Sequence, residues 1–108
     1  MGGAAVEIIF HAHKAVISSN MHARAERVVR KLAARLKRPV DAIVRFEQDG
    51  PTRRVEILLH APGKRSLVAE GSSRYFGPAL TGAATRIEAQ LRHLKRTPKA
   101  RARAVARA

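Results

Sequence analysis

The residues best placed to do chemistry in this sequence are cations grouped at helical spacing. They stand three, four, four and three residues apart, at Arg24, Arg27, Lys31, Arg35 and Arg38. At 3.6 residues per turn, this spacing places them on one flank of a helix. Like charges at such spacings repel by roughly 0.2–0.5 kcal/mol per pair, and the helix has little acid to relieve them. A row of cations that persists despite this repulsion indicates a surface that binds phosphates. The alternative, a charged face that only contacts solvent, is less favoured.

The net charge of +14 is distributed unevenly along the 108 residues. Residues 19–38 carry seven cations against one acid, residues 72–96 carry five against one, and residues 39–71 sum to zero. Clustered Lys and Arg gain affinity for polyanions by releasing counterions from phosphates, so a structured nucleic acid is the favoured partner. The candidate RNA-binding residues of the two segments are Arg24, Arg27, Lys31, Arg35, Arg38, Arg86, Arg92, Lys95 and Arg96.

Five histidines raise the question of a metal site: His11, His13, His22, His60 and His93. His11 and His13 are spaced as on one face of a strand, and His60 could neighbour them, so a site is conceivable. The chain has no cysteine, and no carboxylate is placed among these residues. Surface or RNA-facing histidines are therefore the favoured interpretation, and we expect no metal and no other cofactor.

Catalytic patterns do not occur in the sequence. Asp41 and Asp49 are the only aspartates, and both fall at strand ends. There is no Ser-His-Asp spacing, no pair of carboxylates and no phosphate-cradling glycine loop. A small hydrolase or metal-dependent enzyme is therefore disfavoured, and we expect a non-enzymatic protein. The lack of cysteine fits a reducing compartment, and no apolar run approaches ~20 residues, so we expect a cytoplasmic protein with no membrane partner.

The elements that must position the cations follow from hydrophobic periodicity. Strand-like patterns cover residues 6–11, 41–48, 55–59 and 66–71. An amphipathic helix follows the cap residues 18–20 and ends before Pro39. A second helix is expected to start near Gly77 or Pro78, after an irregular piece over residues 73–76. A helix begun at Ser73 would carry Pro78 in its second turn, where the ring collides with an earlier carbonyl.

The resulting order is βαβββα, an α+β fold with a four-stranded mixed sheet. The first two strands are expected to be parallel across a helical crossover and the others to be joined by hairpins. Both helices should pack on one face, because the inner strand residues need a cover. Those inner residues are Val6, Ile8, Phe10, Val44, Phe46, Val55, Ile57 and Leu59. We expect one domain over residues 1–96 and a basic tail, disordered in the free protein, over residues 97–108.

Three stretches carry a resemblance to a known family. Leu67-Val68-Ala69-Glu70-Gly71 is followed by Arg74-Tyr75, and the second helix closes in Ile87-Glu88-Ala89-Gln90-Leu91-Arg92-His93-Leu94-Lys95-Arg96. With the basic first helix, the chain resembles the short ribosome hibernation promoting factors and ribosome-associated translation inhibitors of bacteria, over about residues 6–96. It departs from them at Ser73, where the family usually has an acid, and at Gly77-Pro78, which accompanies two extra residues.

The resemblance implies a double-stranded-RNA-binding-like fold that sits on the small ribosomal subunit, in the channel for messenger and transfer RNA. There it would contact ribosomal RNA through the basic helix faces, inhibit translation and stabilise idle ribosomes. We expect the free protein to be monomeric. The alternative is a general RNA- or DNA-binding protein that uses the same charge without a defined ribosomal site.

Overall fold

The computed structural model describes residues 6–36, 39–61 and 66–107, with side chains as far as His93. Six elements follow each other in the expected order βαβββα: β1 Val6–His13, α1 Ser19–Ala34, β2 Val40–Asp49, β3 Thr52–His60, β4 Leu67–Ser73 and α2 Phe76–Arg107. The strands are up to a few residues longer than the periodicity alone predicts, because alternation weakens at strand ends that leave the core.

The four strands form one mixed sheet in the order β1-β2-β3-β4. Strands β1 and β2 are parallel and are connected by helix α1, while β2–β3 and β3–β4 are antiparallel hairpins. The β2–β3 hairpin turns at Gly50-Pro51, between the paired residues Asp49 and Thr52. Gly50 has a φ of 61°, a conformation that glycine adopts without the steric cost of a Cβ atom.

Both helices cover the same face of the sheet. Helix α2 packs on β3 and β4, α1 packs on β1 and β2, and the two helices contact each other. The largest fully buried side chains include Phe46 and Ile57 of the strands and Leu80 and Ile87 of α2. The predicted inner residues of β2 and β3 are buried, and those of β1 are partly buried against this core. The predicted α+β architecture with its helices on one face is confirmed.

Helix α1 begins where the cap residues predict. The Ser18 hydroxyl accepts a hydrogen bond from the backbone N–H of Met21 at 3.0 Å, which satisfies a donor that the first turn leaves free. Ala25, Val29, Leu32 and Ala33 form its buried stripe. The cations between these positions are thereby directed away from the core.

Helix α2 begins at Phe76, one position before the predicted start, and the carbonyl of Tyr75 accepts the first helical hydrogen bond from Ala79 N–H at 3.2 Å. Pro78 therefore lies in the first turn, where a backbone N–H has no helical partner and its loss costs nothing. The two residues before the helix, Arg74 and Tyr75, form a bend. The prediction of an irregular piece followed by a helix near Pro78 is confirmed, although the piece covers residues 74–75 and not 73–76, because Ser73 ends β4 and Phe76 begins α2.

Helix α2 continues to Arg107, past the point near Arg96 where the sequence predicts its end. Alanine and arginine, which alternate in this stretch, are both strong helix formers, a propensity that the expectation of a disordered tail did not include. The division into a domain over residues 1–96 and a tail over residues 97–108 stays a prediction. Among the described residues, no helix combines the length and the apolar character needed to cross a membrane.

Candidate nucleic-acid interface

The two helices start at the same end of the sheet and run in the same direction. Strands β1 and β4 point the same way, since β1 is parallel to β2 and β4 lies two antiparallel steps beyond β2. Each helix leaves the carboxyl end of one of these strands. The helices therefore lie side by side on the sheet, and the basic flank of α1 faces a flank of α2.

Arg24 joins the helices near their N-terminal ends. Its Nη2 donates a hydrogen bond to the Thr81 hydroxyl of α2 at 3.2 Å. A Cβ atom built on Gly77 would lie 3.1 Å from Nη1 of the same side chain. The guanidinium therefore rests on the first two turns of α2, and the absence of a side chain at Gly77 makes the room for it.

Arg35 makes a second connection further along. Its Nη1 lies 3.9 Å from Oε2 of Glu88, and the two side chains are 31% and 47% exposed. An ion pair this long and this exposed contributes little to stability, roughly 0–1 kcal/mol. The pair leaves most of the charge of Arg35 available to another anion.

Three further cations at this junction, like Arg24, have no acidic partner among the described residues. Arg27 and Lys31 are exposed on the flank of α1 that also carries Arg24 and Arg35. Arg92 is exposed on α2, one helical turn after Glu88 and so on the side that meets α1. We call these three, together with Arg24 and Arg35, the helix-pair cations. They form one positive strip to which each helix contributes.

Arg86 lies elsewhere. It donates to the carbonyl oxygen of Glu70, and Gln90 donates to the carbonyl oxygen of Val68 at 2.8 Å. Both acceptors belong to β4, an edge strand of the sheet. These contacts cover backbone groups that an edge strand otherwise presents to another chain. The structure therefore separates Arg86 from the helix-pair cations, and its RNA-binding role stays a prediction.

The remaining candidates lie outside what the structure describes. Arg38 falls in an undescribed position, and the side chains of Lys95 and Arg96 are beyond His93. Their roles stay predictions made from the sequence.

The outer face of the sheet, turned away from the helices, has the opposite charge. Its acids are Glu7, Asp41, Glu47, Asp49, Glu56 and Glu70, six of the eight acids in the chain. Two arginines of this face are paired: Arg45 with Glu56 at 3.4 Å, and Arg54 with Glu47 at 2.8 Å and with Glu70 at 3.5 Å. The sequence of residues 39–71 is neutral overall, and this sum conceals the separation into two faces, although the alternation of acids along the strands indicates it.

The histidines are dispersed. His11 pairs with Arg45 of β2, and His60 pairs with Asp41 of β2. The two histidines therefore lie on opposite sides of β2 and four residues apart along it. The Nδ1 atom of His60 lies 3.0 Å from the Ser66 hydroxyl, and the His22 ring lies 3.9 Å from the Phe10 ring. Within the described ranges, no group of three or more His, Asp or Glu side chains is placed to hold a metal ion.

The fold is similar to that of solved ribosomal interface proteins, so the class of this protein is an α+β domain of that type. The N-terminal domain of Thermus thermophilus Protein Y has a TM-score of 0.71 and 20% identity, over 82% of this chain and 98% of that chain. A ribosomal subunit interface protein from Coxiella burnetii has a TM-score of 0.69 and 16% identity, over 82% of this chain and 97% of that chain. These likenesses concern the fold.

The family follows from the sequence itself. The family model described as Sigma 54 modulation protein / S30EA ribosomal protein matches residues 8–99, and the chain belongs to this family. Membership identifies a ribosome-associated protein of the hibernation-factor type, which confirms the resemblance read from the sequence. The comparison with curated proteins gives no match.

Proposed function

We propose that this protein binds the small ribosomal subunit through ribosomal RNA, in the channel for messenger and transfer RNA. In that position it inhibits translation and stabilises idle ribosomes. It acts by occupancy and not by catalysis, in the cytoplasm, and it is monomeric before it binds. Family membership supports the ribosomal partner.

The observation that carries the proposal is the strip of helix-pair cations opposite an acidic outer face. Folded RNA is recognised largely through phosphates and shape, for which a rigid pair of helices with exposed cations is suited. The outer face would be repelled by RNA. The protein can therefore bind RNA in one orientation, which favours a defined site over general polyanion binding.

Co-sedimentation with ribosomes over a series of salt concentrations tests this. We expect saturation at one copy per small subunit, and we expect Lys31→Gln to weaken binding and to lower the log-log salt slope by about one unit. The matched control is Arg45→Gln, which removes the same charge from the outer face and should leave the slope unchanged. Loading of many copies, with equal effects of the two variants, would instead support the general RNA- or DNA-binding alternative.

The location in the channel has its own measurement. Small subunits saturated with the protein should fail to bind messenger RNA and initiator transfer RNA, and the Lys31→Gln variant should restore their binding at the same protein concentration. Simultaneous binding of the protein and both RNAs would contradict the proposed location.

A further inference from the structure

Tyr75 is the one tyrosine of the chain and lies between strand β4 and helix α2. The residue is 67% exposed, and its side chain has no hydrogen bond or ring contact with any described residue. The three phenylalanines pack together instead, with ring centroids of Phe46 and Phe76 5.5 Å apart and those of Phe10 and Phe46 6.5 Å apart. The neighbouring Phe76 thus points into the fold while the larger part of Tyr75 faces solvent.

Arginines contact the residues on either side of Tyr75 in the chain. Arg53 donates to the backbone carbonyl of Arg74, and its guanidinium carbon lies 5.7 Å from the ring centroid of Phe76, so it contacts both chain neighbours of Tyr75. Arg24 reaches Gly77 from α1, as described above. The side chain of Arg74 is itself exposed. Cations that are held by backbone and ring contacts keep their charge in place before any ligand arrives.

A single exposed aromatic residue is ordinary on a protein surface and indicates no partner by itself. The charge of the neighbouring residues is what indicates a partner for Tyr75. The sequence has arginines but no acid between Glu70 and Glu88. Glu70 is paired with Arg54 on the outer face of the sheet, and Glu88 is paired with Arg35 between the two helices. An apolar protein partner would gain nothing from nearby arginines that have no acidic partner. A nucleic acid would use both the arginines, through its phosphates, and the tyrosine ring, through its bases.

We propose that Tyr75 stacks against an unpaired base of RNA while the neighbouring arginines hold the adjoining phosphates. Aromatic side chains beside cations are the usual platform for bases in single strands and loops, since every base has a face that can stack. The inference rests on the proposed function and adds to it. The helix-pair cations bind the backbone of folded RNA, and Tyr75 selects a place where a base is free.

The fluorescence of the protein provides a direct test, because a chain with one tyrosine and no tryptophan reports on that side chain alone. We expect a ten-nucleotide oligouridylate to quench this fluorescence and a ribose-phosphate oligomer of the same length without bases to leave it unchanged. Tyr75→Ser should weaken binding of the oligouridylate by about tenfold and leave the abasic oligomer unaffected. Tyr75→Phe should bind as the wild type does.

Two outcomes overturn the proposal. One is equal binding of the two oligomers by the wild type, and the other is unchanged oligouridylate affinity in Tyr75→Ser. Neither outcome contradicts the proposed function if the ribosome still binds one copy of the wild type and the Lys31→Gln substitution still weakens that binding. Failure of the wild type to bind ribosomes at a defined site would instead remove the proposed function. Thermal unfolding of Tyr75→Ser checks that the exposed substitution leaves the fold unchanged.

Discussion

Gly71 shows how one residue sets the distance between two layers of this fold. It lies on the inner face of β4, and a Cβ atom there would approach the backbone of α2 at the carbonyl of Ala79 and, at 2.8 Å, at the nitrogen of Ala83. Neither obstacle is a flexible side chain. The glycine at position 71 is therefore required by the close packing of α2 on β4.

Gly71→Ala should destabilise the protein by about 1–3 kcal/mol, since the helix must move to admit one methyl group. The matched control is Gly82→Ala, because Gly82 lies within α2 and its added Cβ would meet only atoms 3.7 Å and 4.0 Å away. Alanine is the better helix former by roughly 0.5–1 kcal/mol, so the control should be stabilised. Urea unfolding of both variants measures the difference, and equal stabilities would contradict this account of the packing.

Among the elements, α1 and α2 determine how many cations are available to RNA. Arg24 is partly committed to Thr81, Arg86 is committed to the β4 edge, and Arg35 shares its charge with Glu88. Glu88 is the one acid that the described structure places within the strip of helix-pair cations. It reduces the positive potential in the middle of the proposed interface.

Glu88→Gln should therefore tighten ribosome binding by up to about fivefold, which corresponds to roughly 1 kcal/mol, and should change stability by no more than that. Glu26→Gln is the control, because Glu26 pairs with Arg30 at 3.0 Å on the other flank of α1. Dissociation constants measured at one salt concentration separate the two variants. If Glu26→Gln tightened binding as much as Glu88→Gln, net charge rather than position would be responsible.

The whole molecule has two faces of opposite character. The helix pair carries the exposed cations, while the outer face of the sheet carries most of the acids, partly neutralised by Arg45 and Arg54. The chain as a whole still has 22 cations against 8 acids. Such an excess aids association with a polyanion and opposes compaction of the free protein through repulsion.

Salt should accordingly have opposite effects on folding and on binding. Raising sodium chloride from about 0.02 to 0.3 M shortens the Debye length to below ~10 Å, so we expect the thermal midpoint of the free protein to rise while ribosome affinity falls. An uncharged sugar at equal osmolality controls for solvent effects. A midpoint that falls with salt would show that the exposed ion pairs stabilise the fold more than the excess charge destabilises it.

The order of elements, their approximate bounds and the inner face of each strand could be predicted from the sequence, because they depend on periodicity and caps within a few residues. Ser18 and Pro78 mark the helix starts through local geometry alone. The basic flank of α1 was equally readable, since helical spacing determines which side chains share a face. The family could be identified for the same reason: its motifs are short and contiguous.

Only the tertiary structure decided which cations remain available and what surrounds them. Arg27 and Arg86 look alike in the sequence, but the packing of α2 on β4 brings Arg86 to a backbone carbonyl, while Arg27 has no such neighbour. The connection of Arg24 to Thr81, the acidic outer face and the contacts of Arg53 with the neighbours of Tyr75 each join residues that are far apart in the chain. Such proximity depends on strand register and helix direction, and these are set by the packing of the whole core.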